Sequence, residues 1–175
     1  MEGDSRTLKT TRTSLEIVEL LGRLDGAGVT RLAEELDRPP STVHSHLATL
    51  HEQEFVTNDG GIYRLGLKFL ELGRIVEISR RLYRIADDYT AKVASETQCR
   101  SIFAVEEHGW GVYVSRNAGD LSVWEHEMIG SQFHLHSTAA GKAILAYLSE
   151  EIVERILGRR GLPKQTDETI TDRSE

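Results

Sequence analysis

Two consecutive prolines, Pro39 and Pro40, fix where one helix of this chain must begin. Proline lacks a backbone N–H and is tolerated only in the first turn of an α-helix, so the pair predicts a helix that starts there and runs to about Glu52. Val43 and Leu47 lie four residues apart in this segment and would share one buried face. A short helix with one apolar face needs other elements to cover that face.

Two shorter helical patterns precede the prolines. Thr13 and Glu16 have the spacing of a capping box, which predicts a helix start, and Leu15 and Val18 follow on its expected core face. A second short helix is predicted over residues 30–36. The N-terminal part of the chain therefore reads as three helices in succession.

A hairpin is predicted directly after the third helix. The β-prone segments 55–57 and 62–65 flank Asn58, Asp59 and two glycines, which is the composition of a tight turn. Three short helices followed by a hairpin is the order of a winged helix-turn-helix, a fold that places its third helix in the major groove of DNA.

The third helix has a polar face that suits DNA. If its apolar positions point inward, the opposite side carries small hydroxyls with imidazoles at the flanks, and these groups can hydrogen-bond base edges. An ordinary helical hairpin with a solvated face has a similar pattern, and the hairpin that follows favours DNA binding. The predicted DNA-contacting residues are Arg38, Ser41, Thr42, His44, Ser45, His46, Thr49 and Arg64.

A linker helix is predicted over residues 67–79. It carries more apolar surface than one thin helix can cover, so we expect part of it to bury against a second copy of the chain. The sequence thus predicts a homodimer, with a tetramer as the second option.

The rest of the chain changes from helical to strand-like patterns and back. A helix over residues 82–95 has Leu82, Ile85, Tyr89 and Val93 on its expected buried face. A helix followed by strands and further helices predicts a separate α+β domain. The predicted strands are 101–105, 112–115 and 121–126, and the predicted helices are 138–148 and 149–157.

Composition excludes several classes of protein. With 39% hydrophobic and 28% charged residues, we expect a folded globular protein, and the polar first residues and the lack of a long apolar run predict neither a secretory signal nor a membrane span. Cys99 is the only cysteine, so no intrachain disulfide can form, which suits a cytoplasmic protein. The net charge of -7 is unusual for a DNA-binding protein, and we expect the acidic surplus to lie away from the DNA-facing side.

A catalytic or metal site finds little support. His134 and His136 would share one face of a strand and could begin a metal site, but no further ligands at suitable spacing complete it. No nucleophile, base and orienting group occur together. The sequence therefore predicts no enzyme, no metal and no cofactor, and a small metal-dependent enzyme is only a remote alternative.

A candidate ligand site lies at the start of a later helix. Ser137, Thr138, Ala139, Ala140 and Gly141 are small enough for a carboxylate to approach the N–H groups of the helix N-terminus. Simple capping by one of the two hydroxyls explains the same residues equally well, so both interpretations stay open.

Several separated segments resemble the IclR family of transcription regulators. Residues 38–50 resemble its recognition helix, 63–66 the end of its wing, and 136–143 a segment that opens a helix in its effector domain. Residues 161–163 and 169–172 fit as well, and the resemblance covers the chain from about residue 10.

The resemblance implies an N-terminal winged helix, a linker helix that helps dimerisation, and a GAF-like effector domain that binds small organic acids or aromatics. That effector domain continues beyond residue 175 in the family, so we expect an incomplete GAF-like domain in which the amides after about residue 121 exchange faster than those of residues 14–66. The family often has a basic residue where this chain has Ser45.

The expected protein is thus a cytoplasmic, sequence-specific regulator that binds a double-stranded DNA operator and responds to a small organic ligand. The alternative is a truncated DNA-binding dimer that senses nothing. The expected fold class is α+β, with a flexible arm at 1–10, a winged helix-turn-helix at 11–66, a linker helix at 67–79 and a partial effector domain at 80–175.

Overall fold

The computed structural model describes residues 7–119 and 129–173, and the chain divides into two compact units, Met1–Val76 and Glu77–Glu175. The division falls inside the linker helix rather than after it. The elements of the first unit are α1 (Lys9–Leu24), α2 (Val29–Leu36), α3 (Pro40–Glu52), β1 (Val56–Asp59) and β2 (Ile62–Leu65), followed by α4 (Lys68–Ser79), which crosses the boundary. The predicted helix start at the proline pair is confirmed, since α3 begins at Pro40.

The helices and the hairpin of the first unit enclose one apolar core. Each large aliphatic side chain that is fully buried contributes ~1.5–3 kcal/mol to stability. Two backbone hydrogen bonds between Ala27 and Tyr63, of 3.0 and 2.9 Å, attach the hairpin to the turn before α2. The largest fully buried side chains are Ile17, Leu21, Leu32, Val43, Leu47 and Val56.

Helix α1 begins earlier than the sequence predicted. Thr13 was expected to cap the helix, but its buried hydroxyl donates to the Lys9 carbonyl 3.1 Å away, one turn back inside the same helix. A hydroxyl satisfied in this way does not interrupt a helix. The predicted arm over residues 1–10 is therefore too long, because Lys9 and Thr10 are helical, and residues 1–6 lie outside the described part of the chain.

The buried face of α1 also differs from the prediction. Ile17, Leu20 and Leu21 are buried, whereas Leu15 is 58% exposed and Val18 is only partly buried. The apolar residues of α1 are spread over more than one side of the helix. Their spacing alone therefore does not predict which of two neighbouring sides packs against α2 and α3.

The second unit combines helices with an antiparallel sheet, which confirms the α+β class. Its sheet has the order β3-β4-β5, and the predicted strand over residues 121–126 lies outside the described residues. The elements are α5 (Arg81–Thr97), β3 (Ser101–Glu107), β4 (Trp110–Asn117), β5 (Gln132–Phe133), a 3-10 turn (Leu135–Ser137), α6 (Ala139–Ala146) and α7 (Glu150–Arg160).

Helix α5 packs on the sheet mostly with small residues, together with Tyr83 near its start, contrary to the prediction. The side chains of Ala86, Thr90 and Ala94 are buried, and the Thr90 hydroxyl lies 3.1 Å from that of Ser115 on β4. Small side chains let the helix approach the sheet closely. The predicted buried face is instead exposed, with values from 40% to 67% at Leu82, Ile85, Tyr89 and Val93.

None of the helices within residues 7–119 and 129–173 combines the length and the hydropathy that crossing a membrane requires.

Candidate nucleic-acid interface

The exposed side of helix α3 is polar, and its apolar side is buried in the core of the first unit. Val43 and Leu47 have no exposed surface and anchor the helix in the core of the first unit. The predicted contact residues Ser41, Thr42, His44, Ser45 and Thr49 are all exposed. Hydroxyls and an imidazole on a rigidly held helix are groups that can hydrogen-bond base edges in the major groove.

Two of these hydroxyls donate hydrogen bonds to backbone carbonyls of α3 itself. The Ser45 Oγ donates to the Ser41 carbonyl at 3.0 Å, and the Thr49 Oγ1 donates to the Ser45 carbonyl at 3.1 Å. A hydroxyl that donates to its own backbone has lone pairs left for a partner. Ser45 and Thr49 are therefore arranged as hydrogen-bond acceptors.

Ala48 belongs to the same surface, although the sequence reasoning did not select it. It is exposed and lies three residues after Ser45, on the outer side of α3. Its position three residues after Ser45 predicts this exposure, but a pattern of polar groups does not include an alanine methyl. An exposed methyl group on a helix that enters the major groove can pack against the methyl of thymine.

His46 differs from its neighbours on α3. Its ring is half-buried, and its Nδ1 lies 2.8 Å from the Ser14 Oγ of α1. The imidazole thus joins α3 to α1. Ser14 could not be predicted as this partner, because a contact between residues so far apart in the chain leaves no local sequence pattern.

The two predicted arginines lie outside α3. Arg38, in the turn before it, is 3.7 Å from the Glu16 carboxylate, and both side chains remain substantially exposed. Arg64 is exposed on β2 beside Gly26, where an added Cβ would lie 2.8 Å from the Arg64 Cγ. Gly26, with a φ of +108°, therefore leaves room for the stem of Arg64. Helix α3 itself contains no lysine or arginine.

The predicted ligand-binding segment has a capped helix N-terminus. The Thr138 Oγ1 accepts from the Gly141 N–H at 3.0 Å, and the Ser137 Oγ donates to the His134 carbonyl at 2.9 Å. Ala139 and Ala140 are exposed in the first turn of α6. Both hydroxyls therefore have structural partners, and a ligand would meet the exposed alanines of the first turn.

The histidine pair of the second unit lies near β5 and the 3-10 turn. The His136 Nε2 is 3.1 Å from the Pro163 carbonyl, while the His134 Nδ1 is buried and has no partner among the described residues. Burial lowers the pKa of His134, and the nearby His136 and Arg160 lower it further. In the described ranges no group of three or more His, Cys, Asp or Glu residues is placed to hold a metal ion.

Comparison with known families identifies both parts of the chain. Residues 13–60 match the IclR helix-turn-helix domain, and residues 77–175 match the domain described as bacterial transcriptional regulator IclR C-terminal. The second match alone covers more than half of the chain.

Individual relatives give the same result. The probable HTH-type transcriptional regulator ArcR of Halobacterium salinarum is 30% identical over 152 residues, which cover 85% of this chain and 58% of that protein. The transcriptional repressor IclR of Escherichia coli is 28% identical over 162 residues, 89% of this chain and 59% of the repressor. The chain thus spans less than two thirds of the length of these relatives.

Solved structures share the fold. An IclR transcriptional regulator from Alicyclobacillus acidocaldarius has a TM-score of 0.76 and 26% identity, covering 95% of this chain and 68% of its own. An IclR homolog from Microbacterium hydrocarbonoxydans, solved in complex with 4-hydroxybenzoate, has a TM-score of 0.77 and 20% identity, covering 94% of this chain and 69% of its own.

Proposed function

Because the chain belongs to the IclR family of bacterial transcriptional regulators, we propose that it is a sequence-specific DNA-binding transcription regulator rather than an enzyme. The main support for this proposal is the exposure of α3: its outer side is polar and exposed, while its inner side is buried in the core. A regulator of this kind acts on chromosomal DNA and therefore works in the cytoplasm.

In the proposed complex, α3 lies in the major groove of a double-stranded operator. Thr42, Ser45 and Thr49 face base edges, and Ser41 lies near the helix N-terminus, where backbone N–H groups favour a phosphate. Arg64 on the hairpin adds a positive charge next to the DNA backbone. His46 contributes by holding α3 against α1.

We propose that the chain acts as a homodimer joined through α4. None of the residues of this helix is buried, and Leu70, Ile75, Val76 and Ile78 are between 49% and 70% exposed. An apolar surface of this kind is typical of an interaction site. Two-fold symmetry would place the two α3 helices at half-sites ~34 Å apart or a multiple of this distance. Assembly of two dimers into a tetramer is a further option.

The second unit is proposed to bind a small organic acid or an aromatic ligand. The exposed first turn of α6, at Ala139 and Ala140, offers the positive end of a helix dipole without a bulky side chain in the way. An aromatic carboxylate such as 4-hydroxybenzoate, which the Microbacterium homolog binds, is a suitable first probe. A raised melting temperature on addition of the probe supports ligand sensing, and no shift with any organic acid favours a regulator that senses nothing.

DNA binding is tested by titrating the full chain into a labelled duplex from the region upstream of its own gene. Thr42→Ala combined with Ser45→Ala should weaken specific binding by ~1–3 kcal/mol per lost base contact and leave the fold intact, because both side chains are exposed. Ser95→Ala, an exposed serine on α5, is the control and should bind like the wild type. Unchanged affinity in the double variant would remove α3 as the reading helix.

A further inference from the structure

The outer row of α3 has an unusual chemical character for a DNA-reading surface. Ser45, Ala48 and Thr49 are exposed and lie three and four residues apart, so they occupy one side of the helix. They present hydroxyl oxygens and methyl groups and no charge. The commonest specific contact to a base, a bidentate arginine or lysine on guanine, is absent from this helix, which contains neither residue.

The hydrogen bonds within α3 decide which polar partners suit this row. Ser45 and Thr49 donate their protons to the carbonyls of Ser41 and Ser45. To donate to a base instead, each hydroxyl would first have to break that bond. Without that change, the row accepts hydrogen bonds through its oxygens and makes apolar contacts through the methyl groups of Ala48 and Thr49.

The four base pairs can be compared with this pattern. In the major groove, adenine offers an N6 amino donor and its partner thymine offers a C5 methyl group. Guanine offers two acceptors, N7 and O6, which need donors that the row lacks. Cytosine offers an N4 donor but no methyl group, and its pair still exposes the two guanine acceptors. Only a T·A pair supplies a donor for the hydroxyl oxygens together with a methyl group for the apolar contacts.

We propose that Ser45, Ala48 and Thr49 make α3 selective for T·A base pairs at the centre of each half-site. The thymine methyl packs against Ala48 and the Thr49 methyl, and the adenine N6 amino group donates to the Ser45 or Thr49 oxygen. This inference rests on the proposed function, since it names the bases that the proposed reading helix prefers.

The first test selects duplexes from a random-sequence library with the full chain. Selected half-sites should carry T·A pairs at their central positions. A selected consensus with G·C pairs at all central positions would overturn the inference while leaving DNA binding intact. Enrichment of no sequence at all would instead overturn the proposed function, and the selectivity with it.

The second test removes only the thymine methyl, by replacing single thymines of the selected site with deoxyuridine. Burial of one carbon group is worth ~0.8 kcal/mol, which corresponds to a Kd about fourfold weaker. At least one central position in each half-site should show this loss. Equal binding at every substituted position would contradict the methyl contact.

A matched pair of variants assigns the contact to the protein. Thr49→Ser removes the methyl and keeps the hydroxyl, so it should lose sensitivity to deoxyuridine at the position that Thr49 contacts. Thr49→Val keeps the methyl and removes the oxygen, so it should retain that sensitivity. Thr97→Ala is the control, because the Thr97 hydroxyl also donates one turn back in a helix but lies on α5. If Thr49→Ser and Ala48→Gly both keep the full deoxyuridine effect, the assignment to this row is wrong.

Discussion

The His46 Nδ1 lies 2.8 Å from the Ser14 Oγ, and this hydrogen bond joins α3 to α1 on the edge of the N-terminal core. Apolar packing by Val43 and Leu47 holds α3 in place but is non-directional, whereas a hydrogen bond constrains the rotation of the helix about its axis. The direction in which Ser45 points depends on that rotation. The contact therefore couples a residue of α1 to the orientation of the proposed DNA-reading surface.

Ser14→Ala should loosen α3 without removing any group from its outer face. The variant leaves a part-buried imidazole nitrogen unpaired, at an expected cost of ~1 kcal/mol. Hydrogen exchange of the α3 amides measures this as a faster rate. Ser41→Ala, which removes an exposed hydroxyl from α3 itself, is the control for loss of a serine side chain. Equal exchange rates in Ser14→Ala and the wild type would show that the bond does not stabilise α3.

The contrast between α3 and α5 explains what the sequence could predict. In α3 the proline pair fixes the start, and the apolar residues form one narrow face, so Val43 and Leu47 were placed correctly in the core. In α5 the apolar residues Leu82, Ile85, Tyr89 and Val93 mark the exposed side, whereas Ala86 and Ala94, together with Tyr83, are buried. The spacing pattern predicts the buried face from hydrophobicity alone. A helix that packs closely on a sheet also needs small side chains at the contact, and hydrophobicity does not indicate side-chain size. Contacts such as Ser14 with His46 depend on the tertiary fold and have no local pattern at all.

Arg64→Gln should weaken DNA binding almost equally for all sequences. A phosphate contact contributes a released counterion, so the slope of log K against log salt should fall in magnitude by about 1 per site. Fluorescence titrations between low and moderate salt measure that slope. Arg155→Gln, at an exposed position of α7, controls for the change in net charge. An unchanged slope for Arg64→Gln would mean that the hairpin arginine does not approach the DNA backbone.

Leu70→Glu should separate the proposed dimer into monomers. The Leu70 side chain is 70% exposed, so a charge there costs little in a monomer, but it would be buried without a partner in a dimer joined through α4. Light scattering at micromolar concentration reports the mass. Tyr147→Glu, at a residue that is 94% exposed in the second unit, is the control. A wild-type chain that is already monomeric, or a Leu70→Glu variant that stays dimeric, would exclude this interface.

Gly141→Ala should disrupt the start of α6. A Cβ at Gly141 would lie 2.1 Å from the Leu135 carbonyl oxygen and 2.6 Å from the Leu135 Cα. These are backbone atoms, so relieving the overlap would require the backbone itself to shift. Overpacking of this kind costs ~1–3 kcal/mol. Gly158→Ala on α7 is the matched control, because its nearest neighbour is a flexible arginine end 4.0 Å away. Gly158→Ala should stabilise the second unit by ~0.5–1 kcal/mol, because alanine has a higher helix propensity than glycine. Thermal unfolding of the two variants should therefore shift in opposite directions, and equal shifts would contradict the tight contact.

The stability of the second unit should fall as the pH drops below about 6.5, the ordinary pKa of histidine, because of His134. Burial of its ring lowers the pKa, and His136 and Arg160 lower it further. The unfolded chain therefore binds a proton more readily than the folded one, and acid favours unfolding between the ordinary pKa and the lowered one. Above this window both states are neutral at His134, so its contribution no longer changes with pH.

His134→Phe removes this titration and keeps a flat ring against Trp110, whose centroid is 4.5 Å from that of His134. The midpoint of thermal unfolding, followed by tryptophan fluorescence from pH 8 to pH 5.5, should decline less steeply in the variant than in the wild type. Both tryptophans lie after residue 77, so the signal reports the second unit. His51→Gln, at an exposed histidine on α3, should keep the wild-type slope. If His134→Phe and His51→Gln give the same pH dependence, the buried imidazole does not cause the acid sensitivity.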